Sequence, residues 1–202
     1  MNTQPQKRIA IFASGAGTNA ANIIGYFRQK QTAEVVLIVC NNMQAGVLKI
    51  AADNLIPSLL IQKEKFFKGD AYLPELQAAG ADFIVLAGFL WKVPSAIINA
   101  YRNNIINIHP ALLPKYGGKG MYGDFVHAAV LSAKEKESGI TIHFVDEYYD
   151  NGKPVFQVTC PVYENDTTQT LAKRIHELEY KYFPRVIEEL INKPGNNQGT
   201  PP

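Results

Sequence analysis

The sequence predicts an α/β domain in which a mostly parallel, Rossmann-like sheet is flanked by helices and extended by antiparallel strands toward the C-terminus. Three observations carry that expectation. Short β-branched runs alternate with longer amphipathic stretches through the first half, as parallel strands alternate with crossover helices. A glycine-rich turn follows the first run, at a strand-to-helix junction. Past His109 two strand-like runs follow one another with only a short turn between them.

The strand candidates of the parallel part are RIAIFA (8–13), EVVLIVC (34–40), PSLLI (57–61), DFIVLA (82–87) and NIINIH (104–109). Helices are expected to open near Thr18, Gln44, Gly69 and Pro94, the last with proline where a first turn tolerates it. PALLPKYGGKGMYG (110–123) reads as a loop leading to a further helix. GITIHFVDE (139–147) and KPVFQVTCPV (153–162) then read as an antiparallel pair joined through YYDNG. A final helix over 167–191 closes a single domain of residues 1–191. The Pro-, Gly- and Asn-rich 192–202 has almost nothing to bury and reads as a flexible tail.

Composition narrows the function classes. At 202 residues with 47% hydrophobic and 19% charged content, the chain suits one self-sufficient core. A net charge of +2 argues against a nucleic-acid surface, so an anionic partner must be caught locally. No apolar run reaches membrane-spanning length, and the polar start MNTQPQKR lacks the layout of a signal peptide. Cys40 and Cys160 supply neither a disulfide framework nor a CxxC metal site, so a cytoplasmic setting without a metal is expected.

Ser14, Gly15, Ala16, Gly17, Thr18 and Asn19 lie between a strand and a helix, where backbone N–H groups and the helix N-terminus can approach a phosphate. The stretch also fits G-x-G-x-x-A, the dinucleotide fingerprint. Its usual acidic partner at the end of the second strand is missing, since that strand ends Cys40, Asn41, Asn42. A monophosphate site and a ligand-free tight turn both remain open. No Walker-type lysine follows, which disfavours nucleotide hydrolysis.

Asn107 and His109 alternate onto one side of the fifth strand, at the carboxyl end where doubly wound sheets bind ligands. An amide beside an imidazole can stabilise an oxyanion and move a proton, the two needs of acyl transfer to an amine. A structural histidine is the competing reading. Asp150, in YYDNG, could reach across to hold the imidazole protonated and oriented, or could be an ordinary turn aspartate.

SGAGTN, VLAGFLWKVP, NIHPALLPKYGG and ITIHFVDEYYDNG, in that order from about Arg8 to Leu190, resemble the glycinamide ribonucleotide formyltransferases, a folate-dependent family of purine synthesis. The resemblance implies transfer of a formyl group from 10-formyltetrahydrofolate to the amine of glycinamide ribonucleotide. It also implies a catalytic set of Asn107, His109 and Asp150, with protonated His109 and Asn107 on the oxyanion and Asp150 raising the histidine pKa. Carried over by motif, Gly15, Gly17, Thr18 and Asn19 would hold the phosphate and ribose, and Glu179 the amine side of the acceptor. Leu90, Trp91, Lys92 and Val93 would grip the folate, with Asn107, Asp146 and Tyr149 on its other side.

A family arginine that meets folate is matched by Gly69, so Lys68 or Lys65 is expected to substitute less well. The loop 115–123 is richer in glycine than the commoner version, and YDNGKP carries one extra residue. Formyltetrahydrofolate deformylases and methionyl-tRNA formyltransferases share the catalytic set but carry additional domains. A non-enzymatic nucleotide-binding module would leave Asn107, His109 and Asp150 without a reason. The expected partners are the two small molecules, without nucleic acid or membrane, for a monomer or homodimer.

Overall fold

The computed structural model describes residues 6–68 and 72–193. Its elements follow the expected order: β1 (Lys7–Ala13), α1 (Thr18–Lys30), β2 (Ala33–Cys40), α2 (Gly46–Asp53), β3 (Ser58–Leu60), α3 (Lys63–Phe67), α4 (Leu73–Ala78), β4 (Phe83–Leu86), α5 (Ser95–Ala100), β5 (Ile105–His109), α6 (Asp124–Ser132), β6 (Glu137–Phe144), β7 (Pro154–Pro161) and α7 (Thr168–Ile191). They build a seven-stranded sheet in the order β3-β2-β1-β4-β5-β6-β7. β1 to β5 pair in parallel, and β6 and β7 add antiparallel strands.

Period-two alternation divides the core. Ile9, Ile11 and Ala13 pack with Ile23, Phe27, Val47, Leu171 and Phe183 on one face, while Ala10 and Phe12 pack with Phe66, Leu76 and Ile97 on the other. Both faces are covered, which is why the parallel strands read as unbroken apolar runs.

The helix expected near Gly69 is a correction. Two short helices, α3 and α4, stand where one was expected, and Gly69 itself lies outside the described residues. Tyr72, at a left-handed φ of 69°, starts α4, and its hydroxyl accepts from the Gln62 N–H at 2.9 Å, fastening the two helices together. Of the tail expected over 192–202, residues 194–202 also lie outside the described residues.

α7 contains Pro184, which has no N–H to give the Tyr180 carbonyl four residues earlier. The Asn22 side-chain amide on α1 donates to that carbonyl at 2.9 Å, so the orphaned acceptor becomes a tether between the two helices. At its start, Thr167 and Thr170 form a capping box. Just before it, Asp166 accepts from Arg174 at 2.8 and 3.0 Å, from the Thr170 hydroxyl at 2.7 Å and from the Tyr163 N–H at 2.8 Å.

The Arg174 guanidinium, followed by those N–H and O–H donors, holds the Asp166 carboxyl far below the usual carboxylate range. Because the folded value is depressed, its stabilisation is complete above the ordinary aspartate value and is lost as pH falls through the folded one. Asp166→Ala is expected to cost about 2 kcal/mol at neutral pH. Urea denaturation at pH 7 and in acid checks this: the gap between variant and parent should shrink in acid, and a constant gap would count against the ion pair.

Candidate active site

The chain runs outward from β1 to β3 and returns to β4 on the other side of β1, so the strand order reverses between β1 and β4. Beyond the carboxyl ends at such a reversal, loops part and leave a crevice. Here the two loops are tied, with Ser14 N–H donating to the Gly88 carbonyl and Leu90 N–H to the Ser14 hydroxyl, both at 3.0 Å. A cavity of about 710 Å³ opens there, walled by the turn after β1, the ends of β4 and β5, loop residues 118–123 and α7.

The glycine turn forms one end. Gly17 caps α1 at a φ of 79°, and a Cβ there would lie 2.7 Å from the Val47 side chain, so glycine is required twice over. No side chain caps α1 and no acidic residue occupies its first turn, which leaves N–H groups and the positive helix end facing the cavity. Asn19 donates from its amide to Glu179 at 2.9 Å, and Glu179 also pairs with His176 Nδ1 at 2.8 Å. Glu179 is 4% exposed, a carboxylate buried on the cavity side of its helix. The Glu179 contact raises the His176 pKa, and the His176 ring stacks on Tyr180.

Asn107, His109 and Asp150 meet at the other end. Asp150 takes a left-handed φ of 52°, a conformation unusual for a non-glycine residue. That backbone turns its carboxylate inward, where Oδ1 accepts from Asn107 Nδ2 at 3.3 Å and Oδ2 from the Gly118 N–H at 3.0 Å. Gly152 makes the turn possible, since a Cβ there would meet the Phe144 carbonyl at 1.8 Å. His109 is 3% exposed, with Nε2 donating to the Tyr116 carbonyl at 2.7 Å and Nδ1 lying 3.5 Å from Asp150 Oδ2.

The protonation state differs from the expectation that Asp150 keeps His109 charged. Burial lowers the His109 pKa, and the Asp150 charge and Tyr116 carbonyl pull it up without overcoming burial. A distance of 3.5 Å is also long for a charge-assisted hydrogen bond, which closes to about 2.7–2.9 Å. The resting imidazole is therefore neutral. Asp150 is ionised: burial pushes its pKa up, but the polar groups around it, the Gly118 N–H among them, hold it below the usual carboxylate value.

His143 is the residue that sequence reasoning missed. β5 and β6 pair so that Asn107 faces His143 directly. The His143 Nδ1 proton goes to the Phe144 carbonyl at 2.8 Å, leaving Nε2 to accept from Asn107 Nδ2 at 3.1 Å, and Nε2 lies 3.6 Å from Asp150. His143 thereby fixes which way the Asn107 amide faces. Neither the antiparallel register nor the loop partners, the Tyr116 carbonyl and the Gly118 N–H, carry a sequence signature. His176 did carry one, its i,i+3 spacing from Glu179 on a helix.

Gly15, Gly17, Thr18, Asn19, Glu179, Leu90, Asn107, His109, Tyr149 and Asp150 all line the cavity. Lys68, Trp91, Lys92, Val93 and Asp146 do not. Val93 is buried in the second core layer, and Trp91 packs against Phe66, Phe67 and Phe89. Lys68 pairs with Glu64 at the surface. Asp146 accepts from the Tyr148 N–H and the Asn151 amide, both at 2.8 Å, and so shapes the turn that presents Asp150. Among the described residues, no cluster of three or more His, Cys, Asp or Glu is placed to hold a metal ion.

The model of the formyl transferase family matches residues 7–187. The phosphoribosylglycinamide formyltransferase of Bacillus subtilis is 35% identical over 198 residues, covering 96% of this chain and 98% of that protein. The chloroplastic phosphoribosylglycinamide formyltransferase of Arabidopsis thaliana is 41% identical over 90% of this chain, which spans only 64% of that relative's length. The crystal structure of phosphoribosylglycinamide formyltransferase from Bacillus halodurans superimposes with a TM-score of 0.85 at 34% identity, covering 95% of this chain and 98% of that one.

Proposed function

This chain belongs to the formyl transferase family, and from that membership we propose that it transfers the formyl group of 10-formyltetrahydrofolate to the amine of 5-phosphoribosylglycinamide, in purine synthesis. One observation carries the reading: a single cavity joins an uncapped helix N-terminus to the Asn107, His109 and Asp150 set. The first suits a phosphate and the second suits acyl transfer to an amine. A dinucleotide would leave the second without a task.

The chemistry follows from the resting protonation states. As the acceptor nitrogen bonds to the formyl carbon, the carbonyl electrons move onto oxygen. His143 holds one N–H of the Asn107 amide, and the other leaves its long 3.3 Å contact with Asp150 to donate to that stronger acceptor. Neutral His109 takes the proton that the amine loses, and ionised Asp150 stabilises the imidazolium. The proton then goes to the folate nitrogen as its bond to the formyl carbon breaks, so atoms and charge balance.

The cavity is of the size that small-molecule sites occupy and carries the apolar side chains of Leu90, Met121 and Tyr149 beside its polar groups, which fits a folate. Leu90 and Tyr149, which line the cavity, are assigned to the folate side, and Gly15, Gly17, Thr18, Asn19 and Glu179 to the acceptor. No helix among the described residues is long and apolar enough to cross a membrane. We place the reaction in the cytoplasm, where the free, buried Cys40 and Cys160 stay reduced.

The test mixes the protein with 10-formyltetrahydrofolate, with and without the phosphoribosyl acceptor, and follows deformylated folate by absorbance. Turnover only with acceptor supports the transferase. Turnover without it identifies a deformylase, and none in either tube a binding module. Thr18→Asp sets a negative charge at the α1 N-terminus. It should raise the acceptor KM roughly tenfold or more while sparing the folate KM, and equal loss for both would overturn the phosphate assignment.

A further inference from the structure

Among the described residues, four buried side-chain atoms have no hydrogen-bond partner: Asn19 Oδ1, Asn41 Oδ1, His127 Nδ1 and Ser138 Oγ. Two of those residues, Asn19 and His127, line the same cavity. The orientation of the Asn19 amide is fixed, because its nitrogen donates to the Glu179 carboxylate and a carboxylate can only accept. Oδ1 is the atom left over. His127 projects from α6, is 2% exposed, and has no part in the formyl-transfer set.

Unpaired buried polar atoms cost stability, so two on one cavity wall point to a partner that arrives with the ligand. The position of His127 says which part of the ligand. It lines the cavity that also holds Asn19, His176 and Glu179 from the helix N-terminal end and His109 from the proton-transfer end. Burial lowers its pKa, leaving a neutral ring with one donor and one acceptor. Such a ring matches a hydroxyl or an amide, and the phosphate already has the helix N-terminus.

We infer that His127 is a specificity-determining residue that hydrogen-bonds the uncharged ribosyl or amide portion of the phosphoribosyl acceptor, alongside Asn19 Oδ1. The inference rests on the transferase reading of this cavity. Water does not reach Nδ1 at rest, so the inferred contact includes a turn of the ring about its Cβ–Cγ bond when the ligand enters.

The experiment compares His127→Leu with His127→Asn, whose amide restores a polar atom near Nδ1. Steady-state kinetics of His127→Leu should give an acceptor KM raised roughly tenfold to a hundredfold, with the folate KM within about threefold of the parent. His127→Asn should recover most of the loss. Without ligands, the thermal midpoint of His127→Leu should hold or rise, because an unpaired polar group has been replaced by an apolar one. A lowered midpoint with both KM values equally affected would make His127 structural and overturn the inference, as would an unchanged acceptor KM.

Calorimetry with ribose 5-phosphate and with inorganic phosphate separates the portions of the acceptor and needs no turnover. Ribose 5-phosphate should weaken in His127→Leu and phosphate should not; equal weakening would overturn the assignment. If the parent binds both probes but forms no formylated product, the transferase reading fails while the His127 result still stands or falls by itself.

Discussion

Asp150→Asn is expected to lower kcat by about a thousandfold while leaving the fold intact, the size general acid–base and electrostatic contributions reach together. Asparagine has nearly the same shape and keeps an oxygen that accepts from Asn107 or from the Gly118 N–H. What disappears is the charge that stabilises the imidazolium while His109 carries the proton. The pH profile makes the test specific. His109 must be neutral to accept a proton, and burial sets its pKa below the ordinary histidine value, so the parent's kcat/KM should be flat through neutral pH and fall only on the acid side. The Asp150 carboxylate raises that pKa, so removing its charge should move the acid limb to still lower pH. Near-normal turnover, or a limb that stays in place, would remove Asp150 from the catalytic set.

Gly139→Ala is expected to carry a large cost in stability. Gly139 lies on β6, where a Cβ would meet the Val158 carbonyl oxygen at 2.0 Å, the Leu112 side chain at 2.7 Å and the Thr159 Cα at 3.0 Å. Two of those three are backbone atoms of β7, which cannot step aside without giving up the pairing of Gly139 with Thr159. A loss of about 4 kcal/mol is expected, a large share of a stability that is commonly about 5–15 kcal/mol. The urea midpoint measures it, and a midpoint equal to the parent's would mean that the strands separate more easily than their spacing implies. Activity should fall too, because β6 carries His143 to Asn107.

Strand and helix positions were legible because each obeys a local rule. The apolar runs of β1, β2, β4 and β5 are continuous because both faces of the sheet are covered. α5 opens after Pro94 and α7 after the Thr167 cap, where side-chain chemistry dictates a helix start. The 57–73 segment was less legible. β3 pairs over only three residues, and two short helices replaced one, since pieces so short are set by packing around Phe66 and Leu76.

The sequence by itself determined that this is an α/β domain, that a glycine turn opens α1, and that Asn107 and His109 share one side of a strand end. All three follow from chain-local geometry: the two-residue strand repeat, the conformational freedom of Gly17, and the direction of a strand ending in a loop. Only the tertiary structure decided that Asp150 reaches that pair, that His143 sets the Asn107 amide, that Glu179 is buried against Asn19 and His176, and that His109 rests neutral. The reason is physical. A register between strands far apart in sequence, and the degree to which water is excluded from an imidazole, are properties of the packed whole, and no local spacing encodes them.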